Sequence, residues 1–205
     1  MEPILITGGS GNIGKLVVSG LKVLCKDFRV ARRSSSDSSE STFLDLSDLS
    51  SYSNALQGVR SLFLLRPPTI SNARKTLNVL IEQAYRQGVE HIVFVSFSGA
   101  ESNTFAPHHA VEQQLITFGN SYTILRPGFF SQNLESACRV DIINDSFIYL
   151  PSADGLINFI DTRDIAEIAI QELIESEAHY RKAYTLSGTE ALIFYDVANI
   201  LAEEL

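Results

Sequence analysis

The residues whose types and spacing carry the most chemistry stand at the start of the chain. Ile4-Leu5-Ile6-Thr7-Gly8-Gly9-Ser10-Gly11-Asn12-Ile13-Gly14 runs from an apolar stretch through a glycine-rich turn into a helical pattern. Glycines let a backbone turn sharply and come close to a pyrophosphate, and the N–H groups opening the next helix point at the anion. Two fingerprints overlap, Gly9-x-Gly11-x-x-Gly14 and Thr7-Gly8-x-x-Gly11-x-x-Gly14, both between strand and helix as a dinucleotide site requires. Thr7, Gly8, Gly9, Ser10, Gly11, Asn12, Ile13 and Gly14 are therefore the expected cofactor cradle; a glycine turn with no ligand is the plain alternative. Arg32-Arg33 follow the next apolar run, 28–31. An NAD site normally ends that strand in Asp or Glu, which accepts from the ribose 2′-hydroxyl. Guanidinium groups instead match a 2′-phosphate by paired, charge-assisted hydrogen bonds. NADP(H) is expected in preference to NAD(H), against the alternative of two exposed arginines at a strand end.

A second constellation lies mid-chain. Val111, Leu115 and Phe118 mark the inward face of a helical pattern, and His108 falls on that face with Glu112 four residues on. Residues so spaced are neighbours, so Glu112 could orient the ring. A histidine donates a proton near neutral pH, which makes His108 a candidate acid; a helix-start histidine bonded locally is the other reading. His109 points elsewhere and is expected at the surface. Ser96 and Ser98 end an apolar run and could hold a substrate oxygen, cap a strand end or bond a cofactor. His91, His108, His109 and His179 lack metal-ligand spacing, so no metal is expected. Asp161-Thr162-Arg163-Asp164 is expected to cap a helix and pair at the surface. No Gly-x-Ser-x-Gly elbow is present, which argues against an esterase.

These residues need strands and helices to bring them together. Apolar runs predict strands over 4–7, 28–31, 43–44, 61–65, 91–95, 122–125, 147–149 and 183–186. Helical spacing predicts helices after Gly14 to Leu24, and over 51–57, 70–87, 107–118, 130–142, 163–174 and 195–204. Residues 34–42 are serine-rich and are expected as a solvated loop. Alternation of strand and helix predicts an α/β, doubly wound parallel sheet, Rossmann-like, in the order 3-2-1-4-5-6. A ligand would then lie at the carboxyl ends of the strands. Those ends bring Arg32, Arg33, Asp45, Leu46, Leu65, Arg66, Ser96, Phe97, Pro127 and Gly128 toward the cofactor, beside the glycine turn.

The whole chain has 205 residues, 45% hydrophobic and 20% charged, which suits one globular domain over 1–205. A formal net charge of −8 argues against nucleic acid as a main partner. Cys25 and Cys138 show no C-x-x-C spacing and are expected as free thiols in a reducing compartment. No signal peptide and no run of membrane-spanning length is visible, so a cytoplasmic protein is expected.

Several stretches resemble a known family. Thr7-Gly8-x-x-Gly11-x-x-Gly14, residues 88–96, Tyr122-Thr123-Ile124-Leu125-Arg126-Pro127-Gly128 with Asn133 downstream, residues 158–166 and residues 183–188 are similar to the atypical short-chain dehydrogenase/reductases, the NmrA-like branch above all. The resemblance implies NAD(P) binding, a small-molecule substrate such as a quinone or small carbonyl, and a small C-terminal substrate-side lobe, here from about residue 129 onward. Phe97, Phe129, Phe130 and Asn133 are its expected pocket lining. Members of the family usually run longer, and Leu205 falls inside a helical pattern without a stop signal, so part of that lobe is expected to be absent.

The sequence departs from the family's commoner relatives in one respect. Those use a tyrosine proton donor with a lysine four residues later. None of Tyr52, Tyr85, Tyr122, Tyr149, Tyr180, Tyr184 and Tyr195 has that lysine. If Glu112 aligns with the helix glutamate of the family, Thr104 takes the tyrosine place and His108 the lysine place. Two function classes follow. One is an NAD(P)H-dependent reductase of a quinone or similar electrophile, with His108 and Ser96 as candidate catalytic residues. The other is a dinucleotide-sensing protein that binds a regulatory partner and catalyses nothing. A sugar-nucleotide epimerase is a poor third, since that chemistry leans on the missing pair.

Overall fold

The computed structural model describes residues 2–34, 38–149, 154–175 and 179–204. The chain opens with β1 (Ile4–Ile6), the glycine turn and α1 (Gly14–Val23). Then come β2 (Phe28–Arg32), β3 (Ser41–Phe43), α2 (Tyr52–Leu56), β4 (Ser61–Leu65), α3 (Leu77–Arg86), β5 (His91–Val95), α4 (Pro107–Phe118) and β6 (Ser121–Pro127). The last third holds β7 (Phe129–Phe130), α5 (Gln132–Ser136), α6 (Arg139–Asp145), β8 (Ile157–Ile160), α7 (Thr162–Ile174), β9 (Lys182–Leu186), β10 (Ala191–Leu192) and α8 (Phe194–Glu204).

Seven strands form one parallel sheet in the order β3-β2-β1-β4-β5-β6-β9. The first six keep the expected order, and β9 adds a seventh strand beside β6. The order reverses between β1 and β4, which opens a crevice at their carboxyl ends. Period-2 alternation sends Leu5, Leu62, Leu64, Ile92, Phe94 and Ile124 to one face, under α2, α3 and α4. Ile4, Ile6, Phe63, Val93 and Leu125 go to the other, under α1 and α7. Both faces are covered, which is why these strands are apolar at nearly every position. Helices α1 and α7 pack closely: a Cβ at Gly20 would come within 2.3 Å of the Ile170 side chain.

A three-stranded sheet, β10-β8-β7, stands beside the large one. Phe129, Phe159 and Phe194 meet edge to face there, with centroids 5.3–5.8 Å apart. Between these pieces α7 and β9 return to the main layers.

Four expected elements differ. The third strand is 41–43 rather than 43–44, because Val30, Ala31 and Arg32 pair with Ser41, Thr42 and Phe43. The helix expected over 70–87 starts only at Leu77; before it Asn72 caps a single 3₁₀ turn, Ala73–Lys75, by accepting from the Lys75 N–H at 3.3 Å. The helix expected over 130–142 is β7 plus two short helices, because Phe129 and Phe130 pair with Phe159 and Ile160. Residues 147–149 form no strand; the rings of Phe147 and Tyr149 stack, exposed, at 5.8 Å. Among the described residues no helix is long and apolar enough to cross a membrane.

Candidate functional site

The glycine turn is built around close main-chain contacts. Gly8 has φ +64°, a conformation that favours glycine. A Cβ at Gly14 would fall 2.1 Å from the Gly8 carbonyl oxygen, so α1 meets the turn only without a side chain there. Gly11 differs: it is exposed, and a Cβ would meet only that same oxygen, at 3.3 Å. The first turn of α1 leaves the N–H groups of Asn12, Ile13 and Gly14 with no acceptor among the described residues. Orphan donors at a helix start suit an anion. Thr7 spends its hydroxyl inside the protein. It donates to the Phe63 carbonyl at 3.1 Å and accepts from the Leu65 N–H at 2.8 Å, clasping β1 to β4 where the strand order reverses.

Beyond the turn a cleft of about 780 Å³ runs along the carboxyl ends of β2, β3 and β4. That volume suits a small-molecule site. Of the expected cofactor residues, Thr7, Gly8, Gly9, Ser10, Arg32, Arg33, Asp45 and Leu46 line it. Val30, Ala31, Ser34, Leu44, Ser47 and the loop from Pro67 to Ile70 also line it, and sequence reasoning missed them. Pro67-Pro68 was the available signal, since a proline pair straight after a strand turns the chain over the sheet edge. Arg32 and Arg33 are exposed and make no ion pair among the described residues, so both guanidinium groups are available to a phosphate. Asp45 accepts from the Ser47 N–H at 2.8 Å, and the Tyr52 hydroxyl donates to the Leu46 carbonyl at 2.8 Å, which together fix the turn after β3. The orphan N–H groups beside the glycine turn and the exposed arginines that line the cleft together suit the phosphates of a dinucleotide.

Gly11, Asn12, Ile13, Gly14, Leu65, Arg66, Ser96, Phe97, Pro127 and Gly128 lie outside the cleft lining. Several have other work. Ser96 is 5% exposed and donates to Glu112 at 2.6 Å, so its hydroxyl proton is already committed. Glu112, fully buried, takes Arg126 through two N–H groups, the shorter at 2.6 Å. Arg126 also reaches Glu101 at 3.4 Å. This corrects one expectation: Glu112 clamps β5 and β6 to α4 and does not orient His108, and Ser96 donates into that clamp. Gly128 lets its backbone cross β8, since a Cβ would lie 2.2 Å from the Asn158 carbonyl oxygen. Pro127 is buried and its carbonyl accepts from the Ser98 N–H at 2.9 Å.

His108 is bonded instead by Arg66, whose Nε donates to Nε2 at 3.3 Å. Phe97 sets its ring edge-on at 4.9 Å and Phe94 lies at 6.0 Å. Burial first, and the Arg66 charge second, hold the imidazole down to a pKa of about 4. A ring so held is uncharged at neutral pH, and what it can offer there is the N–H of a neutral imidazole. His109 is half-buried, its Nδ1 3.0 Å from the Ala100 carbonyl, and not at the open surface.

The residues expected to line a substrate pocket each pack against neighbours of their own. Phe97 sits on His108, Phe129 is taken by the aromatic trio, and Phe130 packs on the core beside α7. Asn133 is half-buried at the start of α5, where its carbonyl accepts from the N–H groups of Ala137 and Cys138. Asp161 caps α7 and pairs with Arg163, as its sequence position suggests.

A glycine turn at the reversal point of a parallel sheet, with a cleft along the neighbouring strand ends, defines a Rossmann-like, doubly wound α/β protein. Within that class the chain belongs to the NmrA-like family, whose model matches residues 1–205. It is 31% identical to an uncharacterized oxidoreductase of Bacillus subtilis, YesF, over 98% of this chain and 70% of that one. It is 32% identical to an NAD(P)H azoreductase of Xenophilus azovorans, over 97% of this chain and 72% of that one. Among solved structures it is similar to an NADPH-dependent quinone oxidoreductase of Escherichia coli, with TM-score 0.81 and 25% identity over 98% of this chain and 74% of that one.

Proposed function

We propose that this protein binds NADP(H) and transfers hydride to a quinone or similar small electrophile. The observation that carries the reading is the cleft joining the glycine turn to Arg32 and Arg33. The pyrophosphate would lie on the N–H groups of the first turn of α1, and the ribose 2′-phosphate would meet the two arginines. Asp45 and Leu46 would flank the base, and the loop from Pro67 to Ile70 would close over it. A bound reduced nicotinamide would supply the hydride at the open side of the site, near Arg66, Phe97 and His108. The names of the azoreductase and the quinone oxidoreductase support the same substrate class, unsaturated acceptors that take two electrons readily. Residues 1–205 would act as one unit, with residues from about 129 onward lending a lobe over the acceptor. Two free thiols and a reduced dinucleotide both suit a reducing compartment such as the cytoplasm.

Calorimetry with NADPH and NADH tests the cofactor half. Gly11→Val should block NADPH while leaving the fold, because of the four glycines in the turn Gly11 is the one that the protein's own packing constrains least. Arg32→Ser with Arg33→Ser should weaken NADPH about 10- to 100-fold, from two exposed charged contacts, and leave NADH nearly unchanged. Equal or tighter binding of NADH by the wild type would overturn the preference. Steady-state NADPH oxidation with a quinone panel tests the rest. Binding without turnover on any acceptor would leave a dinucleotide-sensing protein.

A further inference from the structure

Arg66 follows β4 directly, beside the point where the sheet order reverses, and it is a half-buried guanidinium with no carboxylate partner among the described residues. Its Nη1 donates to the carbonyl oxygens of Ile70 at 2.6 Å, Pro67 at 3.1 Å and Pro68 at 3.4 Å. Its Nε donates to His108 Nε2. Every acceptor is neutral, so a full positive charge is held just past the end of β4, beside the loop that lines the cleft, without compensation. A guanidinium does not surrender its proton, so the nitrogen facing it must offer a lone pair. Nε2 is therefore bare, and the ring proton sits on Nδ1, which has no partner among the described residues.

The charged groups around the ring do not alter this. Arg66 is the charge that acts on it. Glu112, one turn along α4, is taken up by Arg126 and Ser96, and Glu101 by Arg126. His109 bonds the Ala100 carbonyl. No carboxylate among them makes a hydrogen bond with the imidazole.

We propose that His108 acts as a neutral hydrogen-bond donor through Nδ1–H, that Arg66 is the positioning residue which fixes this tautomer, and that the pair selects acceptors whose reduction product is a stabilised anion. The inference rests on the reductase reading. For a quinone the balance is simple. The acceptor takes two electrons and one proton as hydride and becomes the hydroquinone monoanion, the dinucleotide is oxidised, and the second proton comes from water. His108 keeps its own proton throughout, and the Arg66 charge favours the anion. A simple ketone would become an alkoxide, which needs a full proton in the same step; this site has none to give at neutral pH. A neutral imidazole used as an electrophile is an established device.

The test has a part that needs no turnover. ¹⁵N NMR of His108 in the cofactor-free protein should show Nδ1 protonated and Nε2 bare from about pH 5 to 8. In Arg66→Gln the tautomers should mix and the ring should titrate closer to its ordinary value. Quinone reduction should be flat with pH over that range. It should fall about 10- to 100-fold in His108→Ala and be partly rescued, still flat, by His108→Asn, whose amide N–H replaces Nδ1–H. An imidazolium at pH 7, an Nε2-protonated ring, or a rate that titrates near 6.5 would overturn the inference while NADPH binding and quinone turnover left the reductase reading standing. Loss of NADPH binding in the wild type would instead defeat that reading, and the tautomer would still be read independently.

Discussion

Replacing Glu112 by alanine should destabilise the protein markedly. The carboxylate is fully buried, and Arg126, with a side chain 15% exposed, gives it two N–H groups. Removing one partner of a buried ion pair costs about 3–5 kcal/mol, because the remaining charge is left uncompensated. Here Glu101 stays within 3.4 Å of Arg126, and its side chain is 46% exposed, so it can move to compensate in part. That puts the expected cost at the lower end, about 3 kcal/mol. For a chain of this size each kcal/mol shifts the melting temperature by about 2–4 °C, so Glu112→Ala should melt about 6–12 °C lower. Thermal unfolding followed by circular dichroism gives the number directly. Glu112→Gln should lose less, since the amide oxygen still accepts from Ser96 or Arg126. The double variant Glu112→Leu, Arg126→Met should be more stable than Glu112→Ala, because no buried charge is stranded. NADPH affinity should change little, as neither residue lines the cleft. A fall of less than about 2 °C in Glu112→Ala would refute the clamp as a source of stability.

Three further outcomes are expected. Thr7→Val leaves the Leu65 N–H without its acceptor, which should cost about 1–3 kcal/mol and speed hydrogen exchange at that amide; unchanged exchange would show that the clasp is idle. Gly14→Ala forces a Cβ onto the Gly8 carbonyl and should abolish dinucleotide binding as well as lower stability by about 1–3 kcal/mol; full binding would contradict the close approach. Acid stability should fall between pH 6.5 and about 4, because burial depresses the pKa of both His91 and His108 to about 4, so the unfolded chain binds more protons there. Glu172, raised by burial, works in the opposite sense, its contribution being lost as pH rises through its folded value. Chemical denaturation across that window should show a shallower slope for His91→Gln, by about half if the two rings contribute equally; an unchanged slope would remove His91 from the account.

The strand order and the glycine turn were legible in the sequence because both depend on local pattern: apolar runs, helical spacing, and glycines between them. Arg32 and Arg33 were legible for the same reason, since the end of the second run marks the sheet edge. The loop from Pro67 to Ile70 was legible only as a break after Pro67-Pro68, because its path is fixed by Arg66 bonding three carbonyls, a side-chain choice with no periodicity. The partner of Glu112 was not legible. Helical spacing set it beside His108, but Arg126 and Ser96 arrive from β6 and the end of β5 and win it by charge and proximity. Phe130 read as the start of a helix, and pairing with β8 overrode that preference.

The small sheet meets the large one on bare main chain. At Gly128 the Asn158 carbonyl lies where a Cβ would be, and at Gly188 the Phe159 carbonyl does, accepting from the Gly188 N–H at 2.7 Å. In both approaches the nearest atom is a main-chain carbonyl oxygen, so a side chain added at either glycine would part the two sheets. The seam works as a fixed joint between an anchored half and a replaceable one. Descendants of such a chain could rewrite Phe129, Phe159 and Phe194, which pack on one another in the small sheet, while the edge that would hold the dinucleotide keeps its alignment. Variation in the small sheet over a constant large one would then be a property of the joint rather than of either sheet alone.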